Sequence, residues 1–105
     1  MHTQIDLMKL VKKFVTLAAT ELRIRDVYLF GSYAQGTPHE WSDIDLAIVS
    51  DDFAGDRFDD MKRLHKFMIQ TSVDLEPHPF KTEDFTPENP FVEEILRTGK
   101  RIQWN

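Results

Sequence analysis

Two short apolar runs separated by a turn-rich stretch constrain this chain most. Val27-Tyr28-Leu29-Phe30 is bounded by Asp26 and Gly31, and Ile44 to Val49 opens behind Asp43 and closes at Ser50-Asp51-Asp52. Brief runs rich in β-branched and aromatic residues, fenced by turn formers, predict two buried strands. Gly31 to Ser42, with both Gly31 and Gly36 and with Pro38, predicts the loop between them. A glycine turn therefore leaves one strand, and an aspartate pair enters the next.

The rest of the chain supplies helices to cover such a sheet. Leu7, Met8, Leu10, Val11, Phe14, Val15, Leu17, Ala18 and Leu22 recur at helical spacing, opposed by Asp6, Lys9, Lys13, Thr16 and Thr20. They predict an amphipathic helix from Ile5 to Leu22. A second helix is expected from Arg57 to Gln70, with Phe58, Met61, Leu64 and Met68 facing inward. Ser72 to Phe80 opens as a strand and is interrupted by Pro77 and Pro79, which predicts an edge position. Its alternation places Val73 and Leu75 inward and Asp74, Glu76 and His78 on the other face. Pro90 to Thr98 predicts a third helix, stopped by Gly99, and Arg101 to Trp104 a last short strand. Helices alternate with strands, so the expected fold is α/β (α+β), a small mixed β-sheet flanked by helices. The expected organisation is one domain over residues 1–105.

Composition narrows the chemistry. The chain has no cysteine, which removes disulfides, thiolate metal sites and cysteine nucleophiles. A net charge of −5 is the wrong sign for a domain that grips nucleic acid by itself. No apolar run approaches the roughly 20 residues needed to cross a bilayer, and the N-terminus lacks a signal-peptide pattern. The expectation is a cytoplasmic protein with no membrane and no direct nucleic-acid partner.

Asp43 and Asp45 occupy positions i and i+2, so on a strand their side chains share one face about 7 Å apart at Cα. Carboxylates so placed can converge on two divalent ions roughly 3.5–4 Å apart. Two anions on an otherwise apolar strand are costly without a cation, although solvation at a strand mouth is the plainer alternative. Asp74 is the third carboxylate candidate. Beside Ile44–Val49 it could complete a triad as metal ligand or general base, or belong to the polar face of an edge strand. Glu76 is the alternative in the same stretch. Gly31-Ser32 leaves a strand where glycine admits close backbone approach, and exposed amides with the Ser32 hydroxyl can donate to phosphate. A plain strand-ending turn uses the same dipeptide. Gly31 and Gly36 have the glycine spacing of a Walker A loop, but Thr37 stands where lysine is required and Pro38 where serine or threonine is required.

Joint spacing is more informative than any one of these. Gly31-Ser32, ten residues, then Asp43-x-Asp45 between two strands resembles the signature of the polymerase-beta-type nucleotidyltransferase superfamily. Gly31-Ser32-Tyr33-Ala34-Gln35-Gly36 followed by Ser42-Asp43-Ile44-Asp45-Leu46-Ala47-Ile48-Val49 is similar to the minimal nucleotidyltransferases, the MNT proteins. The resemblance extends more loosely to Val73-Asp74-Leu75 and the C-terminal helix. It implies a nucleotidyltransferase fold, with Gly31 and Ser32 on the triphosphate and Asp43 and Asp45 on magnesium. Asp74 would match the third, catalytic carboxylate and metal ligand. Two Mg²⁺ ions and ATP are the implied cofactors, and the implied reaction transfers AMP to an acceptor hydroxyl. One departure is Gln35, where many relatives carry arginine, which removes a candidate phosphate contact.

MNT proteins of this size typically accompany a HEPN-type partner, and some are antitoxins that adenylylate a tyrosine of the toxin. The resemblance thus implies a HEPN toxin as acceptor and complex partner, in a homo- or hetero-oligomer. Two alternatives stay open: a non-catalytic antitoxin that masks its partner, and a small-molecule nucleotidyltransferase whose homodimer builds the acceptor pocket. The histidines at 2, 39, 65 and 78 share no metal-ligand spacing. Lys62, Arg63 and Lys66 predict a solvated basic helix face. Trp41 is expected either to stack on a base or partner, or to anchor its loop half-buried.

Overall fold

Thr3 sets the first helix by capping it. In the computed structural model, which describes residues 2–104, its hydroxyl accepts from the Asp6 amide at 3.1 Å and α1 runs Gln4–Ala18. Leu7, Val11, Phe14, Val15 and Ala18 are buried along one face. The helix stops short of the expected Leu22. Its last residues pass into tighter i→i+3 bonds, Thr20 N–H to Leu17 O and Glu21 N–H to Ala18 O, both 3.1 Å. The Thr20 hydroxyl also donates to the Leu17 carbonyl at 2.6 Å, a local bond that competes with continued helix. Leu22 is still buried, as expected.

Strands β1 (Ile24–Phe30) and β2 (Ile44–Ser50) form an antiparallel pair that carries the loop at one end. After β2 the chain crosses over through α2 (Arg57–Thr71) and returns as β3 (Leu75–Lys81), parallel to β2, as a parallel neighbour requires. A single 3₁₀ turn at Thr82–Asp84 leads to α3 (Pro90–Thr98), capped by Asn89 with Pro90 in its first turn. β4 is only Lys100–Arg101, shorter than expected, and pairs antiparallel with β1. The sheet order is β3-β2-β1-β4, mixed as the sequence predicts. None of the described helices is long and apolar enough to cross a membrane.

Alternation divides the sheet. Val27, Leu29, Ile44, Leu46, Ile48 and Leu75 join α1 and α2 in the main apolar core. Tyr28, Phe30, Asp45, Ala47, Glu76, His78 and Phe80 fall on the opposite face by period two. On that face Phe91 of α3 meets Phe30 at 5.6 Å between ring centroids, and Phe80 meets Phe85 at 5.1 Å. Gly99 lets the chain leave α3 so close to β1. A methyl group there would stand 2.5 Å from the Ile95 carbonyl oxygen and 2.9 Å from that of Leu29.

Two further expectations need correction. In α2 the buried side chains are Asp60, Leu64 and Phe67, while Phe58 is 70% exposed. Asp60 sets this rotation, because its carboxylate accepts from the Ala54 and Gly55 amides at 2.9 Å each. Phe58 therefore points away from the core. At β3 the strand starts at Leu75, because Val73 and Asp74 form a turn, and Val73 is 79% exposed instead of inward. β3 is an edge strand as expected, but it runs through both prolines to Lys81. Alternation turns the nitrogens of Pro77 and Pro79 outward, where no ladder donor is needed.

Candidate active site

The turn that follows β1 is built on two left-handed glycines, Gly31 at φ +77° and Gly36 at φ +74°. Between them the Gln35 amide donates to the Gly31 carbonyl at 3.1 Å and the Thr37 amide to that of Ser32 at 2.9 Å. Tyr33 and Ala34 are buried and tie this turn to the core. The Tyr33 hydroxyl also accepts from the His2 amide at 3.1 Å. The backbone at Gly31-Ser32 is thereby held at the end of β1, and both residues are half-buried.

Asp43, just before β2, is exposed, whereas Asp45 is half-buried and lies opposite Phe30 in the antiparallel register. That register brings Asp45 against Gly31. A Cβ on Gly31 would come within 2.4 Å of Asp45 Oδ2, so the turn and the aspartate strand share one cradle that only glycine fits. On its other side, Asp45 Oδ1 is 3.3 Å from His78 Nε2 of β3. The structure thus joins Gly31, Ser32, Asp43 and Asp45 at one end of the β1–β2 pair.

Asp74 is placed differently. Its carbonyl accepts from the Ile44 amide at 2.8 Å, which aligns β3 with β2. Its carboxylate is exposed and turned to His2, with Oδ2 2.7 Å from Nε2. Glu76, half-buried, is the residue in register with Asp45 and on the same face. Trp41 is 82% exposed, which removes the half-buried anchor as its role.

Two side chains joined to the site carry no sequence signal of their own. Arg57, from the first turn of α2, reaches His78 Nδ1 at 3.4 Å, and His78 reaches Asp45. These contacts span 21 and 33 residues, so no local motif could reveal them. Among the described residues no three histidine, aspartate or glutamate side chains group around one point. Asp43 and Asp45 nevertheless fit magnesium. They are hard oxygen donors, and Mg²⁺ typically uses one or two carboxylates with water and substrate phosphates completing its shell.

Comparison with known proteins bears on the family and the fold. Residues 7–102 match the sequence model of the nucleotidyltransferase domain family. A protein of Methanocaldococcus jannaschii, provisionally described as a protein adenylyltransferase, is 33% identical over 82 residues, 72% of this chain and 55% of that protein. The protein adenylyltransferase MntA of Shewanella oneidensis is 53% identical over 30 residues, 29% of this chain and 22% of that one. The chain thus spans about half the length of the first of these curated relatives and less of the second. Among solved structures, one provisionally described as a nucleotidyltransferase from Sulfolobus solfataricus superposes with a TM-score of 0.70 at 23% identity. It covers 93% of this chain and 80% of its own. A toxin-antitoxin structure with AMP-PNP superposes with a TM-score of 0.62 at 22% identity, covering 90% and 73%. At these identities the likeness is one of fold.

Proposed function

The chain belongs to the nucleotidyltransferase domain family, and from that premise we propose that it transfers AMP from ATP to a hydroxyl of a partner protein, a HEPN-type toxin. The observation that carries this reading is the contact between Gly31 and Asp45. A glycine turn set against a strand bearing two carboxylates suits a site where a polyphosphate and its cation are held together.

In this reading residues 1–105 work as one domain, in the cytoplasm where ATP is available. Gly31 and Ser32 hold triphosphate oxygens through backbone amides and the Ser32 hydroxyl. Asp43 and Asp45 hold magnesium, which when bound neutralises phosphate charge and favours the deprotonated acceptor. The acceptor oxygen attacks the α-phosphorus, the bond to the bridging oxygen of the β-phosphate breaks, and pyrophosphate leaves with that electron pair. The hydroxyl proton passes to a third carboxylate, Asp74 by the family pattern. The parallel register favours Glu76 for that role, because it flanks Asp45 while Asp74 faces His2.

The acceptor assignment is supported by two relatives described as protein adenylyltransferases and by the fold of a toxin-antitoxin component. It is also supported by an open rim: Asp43 and Trp41 face solvent, as a macromolecular acceptor needs. The test is incubation with Mg²⁺, α-labelled ATP and the product of the adjacent gene. Label on that protein is expected, and no label under conditions where the two proteins bind would overturn the reading.

A second reading, masking without catalysis, is favoured by one observation. Phe58, Ile69 and Val73 are 70%, 62% and 79% exposed along and just beyond α2. Neutralisation of the partner that survives Asp43→Ala with Asp45→Ala would select masking.

A further inference from the structure

His78 occupies the sheet face that carries Asp45, in register with Ala47 and two residues beyond Glu76. Its side chain is 15% exposed. Phe30 and Phe91 wall the ring, with centroids 5.0 and 6.0 Å away. Both nitrogens are engaged, Nδ1 with the Arg57 guanidinium at 3.4 Å and Nε2 with Asp45 Oδ1 at 3.3 Å. A guanidinium can only donate, so Nδ1 accepts and the ring proton of the neutral imidazole sits on Nε2, facing the carboxylate.

We infer that His78 is a positioning residue for Asp45: it donates from Nε2 to Oδ1 and sets the carboxylate's orientation, while Arg57 selects the ring tautomer. The inference rests on the reading of Asp45 as an ion ligand. A strand aspartate has two free side-chain torsions, and its terminal torsion is broad, so a carboxylate at an open sheet end is not self-orienting. Here it is held from both sides. His78 takes Oδ1, and the missing Cβ of Gly31 makes room for Oδ2. The aromatic wall keeps the imidazole from rotating out of line, and Arg57 makes one of its two tautomers the bonded one. The chain Arg57–His78–Asp45 thereby links the first turn of α2 to the ion site through β3. Partners of this kind behind metal ligands typically change ion affinity or activity about 10–100-fold when removed.

Plain packing in the aromatic cluster is the competing role, and three variants separate the two. His78→Leu keeps apolar bulk and loses the donor. His78→Gln restores a donor near the Nε2 position, and Arg57→Met removes the group that sets the tautomer. Without any ligand, long-range ¹H–¹⁵N spectra of the wild type should show the Nε2–H tautomer of His78, and Arg57→Met should mix the tautomers. Mn²⁺ binding followed by electron paramagnetic resonance should weaken about 10-fold or more in His78→Leu and recover in His78→Gln. In nucleotidyl transfer, kcat should fall with the nucleotide KM little changed, again with rescue by glutamine. An Nδ1–H tautomer in the wild type would overturn the assignment, as would wild-type Mn²⁺ binding in His78→Leu or glutamine no better than leucine. Absence of transfer by the wild type would overturn the functional reading alone, since the tautomer and Mn²⁺ arms still judge His78.

Discussion

Gly31 and Asp45 touch where no side chain could stand between them: a methyl group on Gly31 would lie 2.4 Å from Asp45 Oδ2. Gly36, five residues on, shares the left-handed backbone but has nothing within 4 Å of its Cβ position. The two glycines therefore separate backbone cost from site cost. Gly36→Ala should lose about 1–2 kcal/mol of stability and keep divalent-ion binding. Gly31→Ala should lose at least as much and also displace Asp45, weakening Mn²⁺ binding. Urea denaturation beside Mn²⁺ titration reads both, and equal ion binding in the two variants would refute the shared cradle.

Asp43→Asn and Asp45→Asn remove the two carboxylate charges while leaving an oxygen at the position of Asp45 that can still accept from His78. Transfer should drop more than about 100-fold, since the ion's charge stabilisation amounts to several kcal/mol. Thermal stability without divalent ions should not fall. Mg²⁺ with a non-hydrolysable ATP analogue should raise the melting temperature of the wild type and leave both variants unmoved. Scanning calorimetry with and without ligand checks this.

The third carboxylate can be assigned by substitution. Glu76→Gln should lower transfer by about 100-fold or more, the usual contribution of a general base. Asp74→Asn should affect transfer far less and chiefly release the His2 contact. Initial rates of label transfer decide it. The reverse ranking would mean that Asp74 leaves His2 for the ion site when substrate binds.

Asp60 is 2% exposed, and its two carboxylate oxygens accept from the Ala54 and Gly55 amides of the β2–α2 loop. Asp60→Ala should cost about 2–4 kcal/mol, because two part-buried amides lose a charged acceptor and a buried carboxylate is removed from the loop. Asp60→Asn keeps one acceptor oxygen and should cost about half of that. The midpoint of urea unfolding reports the ranking.

Gly99→Ala tests the junction of α3 with β1. The added methyl would meet two backbone carbonyl oxygens, which cannot move as a flexible side chain can. Overpacking of this kind costs about 1–3 kcal/mol. The loss should appear in thermal unfolding and in faster amide exchange across β4.

Much of the architecture was legible because period and punctuation are local. Val27–Phe30 and Ile44–Val49 announced their strands, Pro90 and Gly99 bracketed the last helix, and the proline pair marked an edge. The errors arose where a distant group outweighed the local pattern. Phe58 reads as a core residue by spacing alone, yet the amides of Ala54 and Gly55 draw Asp60 inward and turn Phe58 to solvent. Val73 fits an alternating strand, but the chain is still turning there and pairing begins at Leu75.

The same division runs through the site. Residue types and spacing by themselves determined that a left-handed turn and an i, i+2 aspartate pair flank one loop, since torsional freedom and strand period are properties of short segments. Tertiary structure decided what stands beside that pair. The parallel return of β3 brings Glu76 level with Asp45, turns Asp74 toward His2, and carries His78 and Arg57 to a carboxylate many residues away. Which side chains meet across strands depends on register, and register is set by the packing of whole faces.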